Sequence, residues 1–372
     1  MSTDSSPNVP ASGIPANFPP QPIQVIAPAG EPVRLVLEHR RPAMWFWKLG
    51  WIAFGLTLIS LFGVQKAYQS YIQTSPEIQE HLHSLAADGT DKVAIIDVQG
   101  TIMHADGFVK WQIDRVRNDN DVKAIVVRVD SPGGTVTGSH YIYHQLQKLA
   151  EEKKIPIVVS MGGIAASGGY YIAMAVGHEP NTIYAEPTTW TGSIGVIIPH
   201  YDVSELMEKY SVKDDSIVSH PLKQMGSPTH KLSPEMQEKE RKILQELVDD
   251  CFAGFKDIVK SGRPKLTDAQ ITEVATGQIF TSNQALKNGL VDRQGFIEDA
   301  IDRAIELAKL DKKKTRAVSY TRPASLAESL LGGSVESRIP SANINLAALL
   351  DLTAPRAYYL CTWLPGVMVN QH

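Results

Sequence analysis

Two glycine turns hold the residues whose types and spacing could do chemistry. One is Asp130-Ser131-Pro132-Gly133-Gly134, directly after the apolar run 122–129. The other covers residues 161–171, directly after 155–160, and contains Ala166-Ser167-Gly168-Gly169. The ends of strands are where α/β sheets build ligand sites. Acyl transfer needs an exposed nucleophile and at least two donors aimed at the developing oxyanion. Ser167, at the N-terminal end of a helix, supplies the first, and the Gly168 N–H beside it supplies one donor. Gly133 or Gly134 supplies the other, because residues without Cβ let backbone N–H groups approach a substrate. The helix dipole would also favour negative charge at Ser167. Either turn alone is common as plain structure; both, at strand ends and within 35 residues, point to a site. The Gly-x-x-x-x-Gly-Lys-Ser/Thr pattern of a phosphate loop is missing.

The general base is harder to find. After Ser167 the histidines are His178, His200, His220, His230 and His372. None has a setting suited to a triad: His178 lies in the polar segment GHEPNT and His372 is the last residue. His140 and His144 share a helix face at i, i+4, but no HExxH pattern accompanies them.

The elements that must position these residues are legible as periodicity. The runs 93–98, 122–129 and 155–161 are apolar, β-branched and of strand length. Helix-length stretches, 107–118 and 137–151, lie between them. Fully apolar strands alternating with helices predict a parallel sheet covered on both faces. A long amphipathic helix is predicted over 233–260, opened by Ser233-Pro234-Glu235 with proline at its first position. Shorter helices follow at 267–275, 281–288 and 296–309. No internal repeat is visible. The expected division is a Pro-rich disordered arm 1–43, a transmembrane helix 44–64, a polar connector 65–90, one catalytic domain 91–310 and a tail 311–372.

The run 44–64 has 21 residues with Lys48 as its only charge. At ~1.5 Å rise per residue it just crosses ~30 Å of hydrocarbon. Trp45, Trp47 and Trp51 gather at one end, as interfacial aromatics do. A cleaved signal peptide fits poorly, since the run starts late and no small-x-small site follows. A buried core helix would not sit beside a disordered arm. Arg34, Arg40, Arg41 and Lys48 precede or open the run and only Lys66 follows closely, so the arm is expected in the cytoplasm and the remainder outside.

Composition excludes little else. The 372 residues are 43% apolar and 20% charged with net charge −4, and no basic stripe marks a nucleic-acid partner. Cys251 and Cys361 form neither a disulfide framework nor a zinc site. The apolar segment 358–368 reads as a partner-binding strand, as a product-like occupant of a neighbouring active site, or as a disordered end, the last being favoured.

Five motifs in one order make the resemblance specific. They are Asp130-Ser131-Pro132-Gly133-Gly134; Ala166-Ser167-Gly168-Gly169-Tyr170-Tyr171-Ile172-Ala173; Thr191-Gly192-Ser193-Ile194-Gly195-Val196; Lys223-x-x-Gly226-Ser227-Pro228; and Leu232-Ser233-Pro234-Glu235. Residues 93–309 resemble the signal peptide peptidase A family of bacterial membrane serine peptidases, relatives of the Clp protease and crotonase fold. The resemblance implies Ser167 as nucleophile, Lys223 as general base and Ser193 as the group that orients the lysine. A lysine accepts a proton only as the free amine, which an apolar pocket favours; Pro221, Leu222, Met225 and Pro228 flank Lys223. It also implies residence in the bacterial inner membrane with lipid around the span, apolar peptide substrates such as signal-peptide remnants, and a ring of copies in which serine and lysine come from neighbouring subunits. No cofactor or metal is implied, because an acyl-enzyme route needs none. Two departures stand out: the stretch around 177–182 is longer than in typical members, and this chain has one copy of a fold that long members carry twice. Two other readings use the same residues differently: a crotonase-like protein holding an acyl-CoA oxyanion, and a catalytically inactive membrane scaffold.

Overall fold

A computed structural model describes residues 44–72, 78–104, 106–322 and 357–360. The arm 1–43 and the tail beyond 322, apart from 357–360, lie outside the described residues, Cys361 and His372 among them. The chain divides into two units, 1–69 and 70–372. The first contains most of helix α1 (Met44–Ile72), whose stretch Trp47–Gln65 is long and apolar enough to cross a membrane. Trp47, Ile52, Phe54, Leu58, Ile59 and Phe62 are all exposed on it. A helix that exposes apolar side chains all round among the described residues suits a non-aqueous surrounding.

The second unit is an α/β domain on a nine-stranded sheet among the described residues. Its main path runs β1 (Gln79–Leu85), β10 (Thr315–Thr321), β2 (Asp91–Gln99), β3 (Val122–Ser131), β5 (Ile157–Ala166), β6 (Ile183–Ala185) and β9 (Arg293–Gln294). Every neighbour pair is parallel except the edge pair β1 and β10. Beyond the main path, β7 (Trp190–Gly192) pairs in parallel with the end of β5 and antiparallel with β8 (Ile279–Thr281). A separate two-stranded ribbon joins β4 (Gly133–Thr135) to β11 (Tyr358–Leu360).

The central strands are apolar throughout because both sheet faces are covered. On one face Ile96, Val98, Val127, Val129, Val159 and Met161 pack under α2 (Phe108–Asn118), α3 (Val136–Lys153) and α4 (Gly168–Ala173). The helices α6 (Pro234–Gly262), α7 (Asp268–Val274) and α8 (Ser282–Lys287) enlarge that layer through Phe255, Val259, Ile271 and Ala285. On the other face Ile95, Val126 and Val158 meet Ala300, Ile301 and Ala304 of α9 (Ile297–Leu307). The short α5 (Ser204–Lys209) belongs to the sparsely buried stretch 197–232. Leu146 of α3 is fully buried in the larger core. Leu146→Ala is therefore expected to cost about 3 kcal/mol of stability, read as a lowered midpoint in thermal unfolding of the detergent-solubilised chain.

Helix starts follow local chemistry. Ser233 Oγ accepts from the Met236 N–H with Pro234 at the first helical position, as the sequence predicts. Thr267 with Gln270, and Thr281 with Gln284, form capping boxes. The long stretch around 177–182 is pinned from outside: Asp292 Oδ2 accepts from the Thr182 and Ile183 N–H groups, and Arg303 donates to the carbonyls of Pro180 and Asn181.

Candidate active site

Ser167 sits between the last residue of β5 and the first of α4, at φ 54° and ψ −115°. An L-residue held there is strained, and such strain persists only where the surroundings over-determine it. Its N–H donates to the Gly192 carbonyl at 2.8 Å and its carbonyl accepts from the Tyr171 N–H at 2.9 Å, which fixes the turn on both sides. Ala166 pairs with Gly192 at the ends of β5 and β7, so Ser167 and Ser193 each stand one residue past that pair, side by side. Ser193 also has positive φ, 49°, and donates its N–H to the Gln278 carbonyl at 2.7 Å. Both serines are buried, so Ser167 is not the exposed hydroxyl that the sequence predicts. Hydroxyls of Thr189 and Thr191 stitch this corner by donating to the Gly162 and Ala165 carbonyls, each at 2.6 Å. The glycines predict a turn from residue 161 onward, whereas β5 continues to Ala166. Asp130 Oδ1 accepts from the Ile164 N–H across the strand, which holds this glycine-bearing stretch extended.

The glycines are where backbone must meet backbone. A Cβ on Gly168 would lie 2.3 Å from Ser139 Oγ, and one on Gly169 would lie 2.7 Å from the Ser131 carbonyl oxygen. Gly133, at φ +98°, would place a Cβ 2.6 Å from the Gly168 nitrogen. The two turns singled out in the sequence therefore meet. Within the first, the Gly133 N–H donates to Ser131 Oγ at 3.1 Å, and Ser131 Oγ itself donates to the Gly100 carbonyl at 2.6 Å.

The chain's own residues Tyr358–Leu360 lie in this groove as β11. One edge pairs antiparallel with β4, Tyr359 opposite Gly134. On the other edge Tyr358 exchanges both backbone hydrogen bonds with Ile197, at 2.9 and 3.0 Å. The Val136 N–H donates to the Ala357 carbonyl at 3.2 Å; with the two-residue phase of an antiparallel ladder, Gly134 and Tyr359 are the next hydrogen-bonding pair. The Tyr359 carbonyl oxygen comes so near the glycines that a Cβ would lie 2.0 Å from it on Gly133 and 3.1 Å on Gly168. The sequence favours a disordered end for 358–368 over a partner-binding strand or an occupant of a neighbouring copy's site; residues 358–360 instead form a strand in the chain's own groove, and residues 361–368 lie outside the described residues. Burial pushes the Tyr359 phenol above its ordinary pKa, and burial with Tyr143 nearby does the same for Tyr171. A cleft of about 470 Å³ opens beside Ser193, between Val196, Val248, Phe252 and Ile279.

Lys223 lies elsewhere. It is exposed, in the 3₁₀ turn Pro221–Gln224; its N–H donates to the His220 carbonyl at 2.9 Å, and its side chain has no hydrogen bond or ion pair among the described residues. His220 caps that turn by accepting from the Leu222 N–H at 3.1 Å, which gives this histidine a structural role. Buried Glu240 of α6 accepts from the Gly226 N–H at 3.2 Å, and Asp214 accepts from Thr229 Oγ1 at 2.7 Å. Hydrogen bonds from Ser216 and Thr229 hold the Asp214 carboxyl below its usual range. The remaining histidine candidates stay apart from Ser167 in role: His178 and His200 are exposed, His230 half-buried, and His140 Nδ1 pairs with the Tyr171 hydroxyl at 2.8 Å. Among the described residues no group of His, Cys, Asp or Glu side chains could hold a metal ion. Cys251 is a free thiol.

Residues 149–311 match the model of peptidase family S49, and residues 92–189 match that of the Clp protease. The chain is 41% identical over 261 residues to "Putative protease slr0021" of Synechocystis sp., covering 70% of this chain and 90% of that relative. It is 39% identical over 227 residues to "Putative signal peptide peptidase SppA" of Enterococcus faecium, covering 60% and 62%. Identity to Protease 4 of Salmonella typhi is 34% over 296 residues, covering 77% of this chain but only 46% of the relative. The chain thus spans less than two thirds of the second and third relatives.

Proposed function

The chain belongs to peptidase family S49, and from that premise we propose that it is a membrane-anchored serine endopeptidase in which Ser167 is the nucleophile and Lys223 the general base. The observation that carries this reading is the extended segment Tyr358–Leu360, lying between β4 and Ile197 with its Tyr359 carbonyl against Gly133 and Gly168. That is how a peptide bond would be presented to the strained serine beside it.

In this reading Ser167 Oγ attacks the substrate carbonyl carbon while its proton passes to the Lys223 amine. The N–H groups of Gly134 and Gly168 receive the negative oxygen of the tetrahedral intermediate. Gly133 serves differently: its own N–H is taken by Ser131 Oγ, and its missing Cβ keeps the groove open. Collapse breaks the C–N bond, and the lysine ammonium returns its proton to the leaving amine. Water, deprotonated by the same lysine, then hydrolyses the acyl-serine ester. Ser193, one residue past β7 and beside Ser167, orients the lysine.

Lys223 reaches the serine of an adjacent copy. In support, its turn is exposed, and so are Ile197, Tyr201, Leu206, Tyr210, Val212 and Ile217 along the same stretch. So large an apolar surface fits a face covered by another subunit. Helix α1 anchors the chain in the inner membrane with the N-terminal arm cytoplasmic and the catalytic unit outside. Substrates are apolar peptides such as signal-peptide remnants, consistent with the name of the Enterococcus relative.

The test is cleavage of a fluorogenic apolar peptide by the full chain in detergent micelles. Cleavage that fluorophosphonate abolishes supports the reading. Intact peptide, or binding of an acyl-CoA thioester at the same glycines, would replace it with a binding role. A more local expectation concerns Gly133. Gly133→Ala puts a methyl group at φ +98° against the Gly168 nitrogen, so kcat/KM is expected to fall about 100-fold or more, the scale of losing one oxyanion donor.

A further inference from the structure

The stretch 198–231, which carries Lys223, is tied to the remainder of the chain by very little. Its hydrogen bonds are nearly all internal. The Lys223 N–H donates to the His220 carbonyl at 2.9 Å, the Ser227 N–H to the Gln224 carbonyl at 2.9 Å, and the Val203 N–H to the Pro228 carbonyl at 2.8 Å. Such bonds fix the shape of the turn but not where it stands. Among the described residues one hydrogen bond leaves the stretch, from the Gly226 N–H to Glu240 Oε1 at 3.2 Å.

Both ends of that bond are unusual. The donor, Gly226, lies three residues after Lys223 at φ +77°, a backbone conformation that favours glycine. The acceptor is the single buried residue of α6 between Pro234 and Gly254, at 4% exposure. Its side chain makes no other hydrogen bond and no ion pair among the described residues. A helix face turned toward protein ordinarily presents apolar side chains, and a buried carboxyl without a cation costs stability. Leucine would suit the packing better. What the carboxyl supplies, and leucine cannot, is an acceptor at a set reach from a rigid helix.

We propose that Glu240 is the positioning residue for Lys223: its carboxyl sets the place of the lysine turn, and so whether the amine meets the serine it serves. The inference rests on the reading of Lys223 as general base. Reach matters here more than charge. Glutamine keeps the length of the arm and an acceptor oxygen. Aspartate keeps the charge but stops one methylene short, and leucine keeps the bulk with no acceptor.

The experiment measures kcat and KM for the fluorogenic apolar peptide with the full chain in detergent micelles. Glu240→Gln is expected within about fivefold of wild type, the scale of one weakened hydrogen bond. Glu240→Asp and Glu240→Leu should each lose about 100-fold in kcat, the scale of a misplacement of about 1 Å, with KM within about twofold. The unfolding midpoint of Glu240→Leu should equal or exceed that of wild type, because a buried unpaired carboxyl is removed. The decisive arm is Glu240→Leu in the Lys223→Ala background, read as the rate of fluorophosphonate labelling of Ser167. That rate should change by less than about twofold, since without its lysine the carboxyl has nothing to position. Should leucine unfold the chain, Glu240→Asp in the same background gives the same reading. Full activity of Glu240→Leu, a Glu240→Gln no faster than Glu240→Leu, or an equal loss with and without Lys223 would overturn the inference. Lys223→Ala at the wild-type rate would sink the base reading and this inference with it. An inactive Lys223→Ala beside a fast Glu240→Leu would sink this inference alone.

Discussion

Ser167→Ala is expected to lower kcat for peptide cleavage by at least about 10³-fold, with KM changed little. The expectation follows from where the residue stands. The groove, with Gly134 and Gly168 as the proposed donors, is built from backbone that the substitution does not touch, so substrate should still bind and its carbonyl should still be polarised. Only the attacking atom is lost, and what remains is catalysis by the surroundings. Stability separates a catalytic from a structural role. Ser167 is held at φ 54° and ψ −115° by hydrogen bonds to Gly192 and Tyr171 that use only its backbone. Alanine inherits that strain, so its unfolding midpoint should match wild type within a few degrees. Ser167→Gly removes the Cβ responsible and should be more stable by about 1 kcal/mol, though equally inactive. Were Ser167 kept for structure, glycine would be harmless to activity and the midpoint of Ser167→Ala would fall sharply.

Lys223→Ala should be as inactive as Ser167→Ala, and Lys223→Arg nearly so. Arginine keeps the positive charge and much of the reach but cannot give up its proton, so it fails as a base. If Lys223 contributed only charge to the groove or to subunit contacts, arginine would restore most of the rate. Only the unprotonated amine accepts the serine proton, so the wild-type rate should climb with pH, and a flat profile between about pH 5 and 9 would oppose a lysine base. The exposed turn that carries Lys223 adds a second expectation. Mixing Ser167→Ala and Lys223→Ala subunits during assembly should regain activity, because some sites then join an intact serine from one copy to an intact lysine from another. Continued silence of the mixture, with mixed assemblies demonstrated, would place serine and lysine in one chain.

The sheet and its principal helices were legible in the sequence because burial wrote them there. The runs 93–98, 122–129 and 155–161 became the cores of β2, β3 and β5, and the long helix begins at Pro234 as the Ser233 cap requires. Strand β1, QEHLHSL, escaped notice since an edge strand with one wet face carries no continuous apolar run. Strand β10 follows three lysines and is only seven residues long, so the charged stretch masked it. The three-residue strands β4, β7 and β8 have no local signature at all, being defined by partners far away, as Thr191 is by Phe280.

The site divides in the same way. Ser167 and the two glycine turns were visible because close backbone approach demands glycine, whatever the chemistry. That the Ser131 hydroxyl occupies the Gly133 N–H, on which the proposal of Gly134 as donor rests, was not visible, because no sequence pattern links the two groups. The ring contacts of Tyr359 with Tyr171 and Phe255 join α4, α6 and a strand nearly two hundred residues from Tyr171, and no spacing rule links the three. For Lys223 nothing local distinguishes a base from a solvated lysine; motif order alone singled it out.

The most direct test of the central claim is the site and rate of covalent labelling. The full chain in detergent micelles is treated with a fluorophosphonate, digested and mapped by mass spectrometry, alongside Lys223→Ala. One adduct is expected, on the hydroxyl of Ser167, forming far more slowly in Lys223→Ala. An adduct on another residue, no adduct, or labelling of Ser167 at an undiminished rate without Lys223 would contradict it.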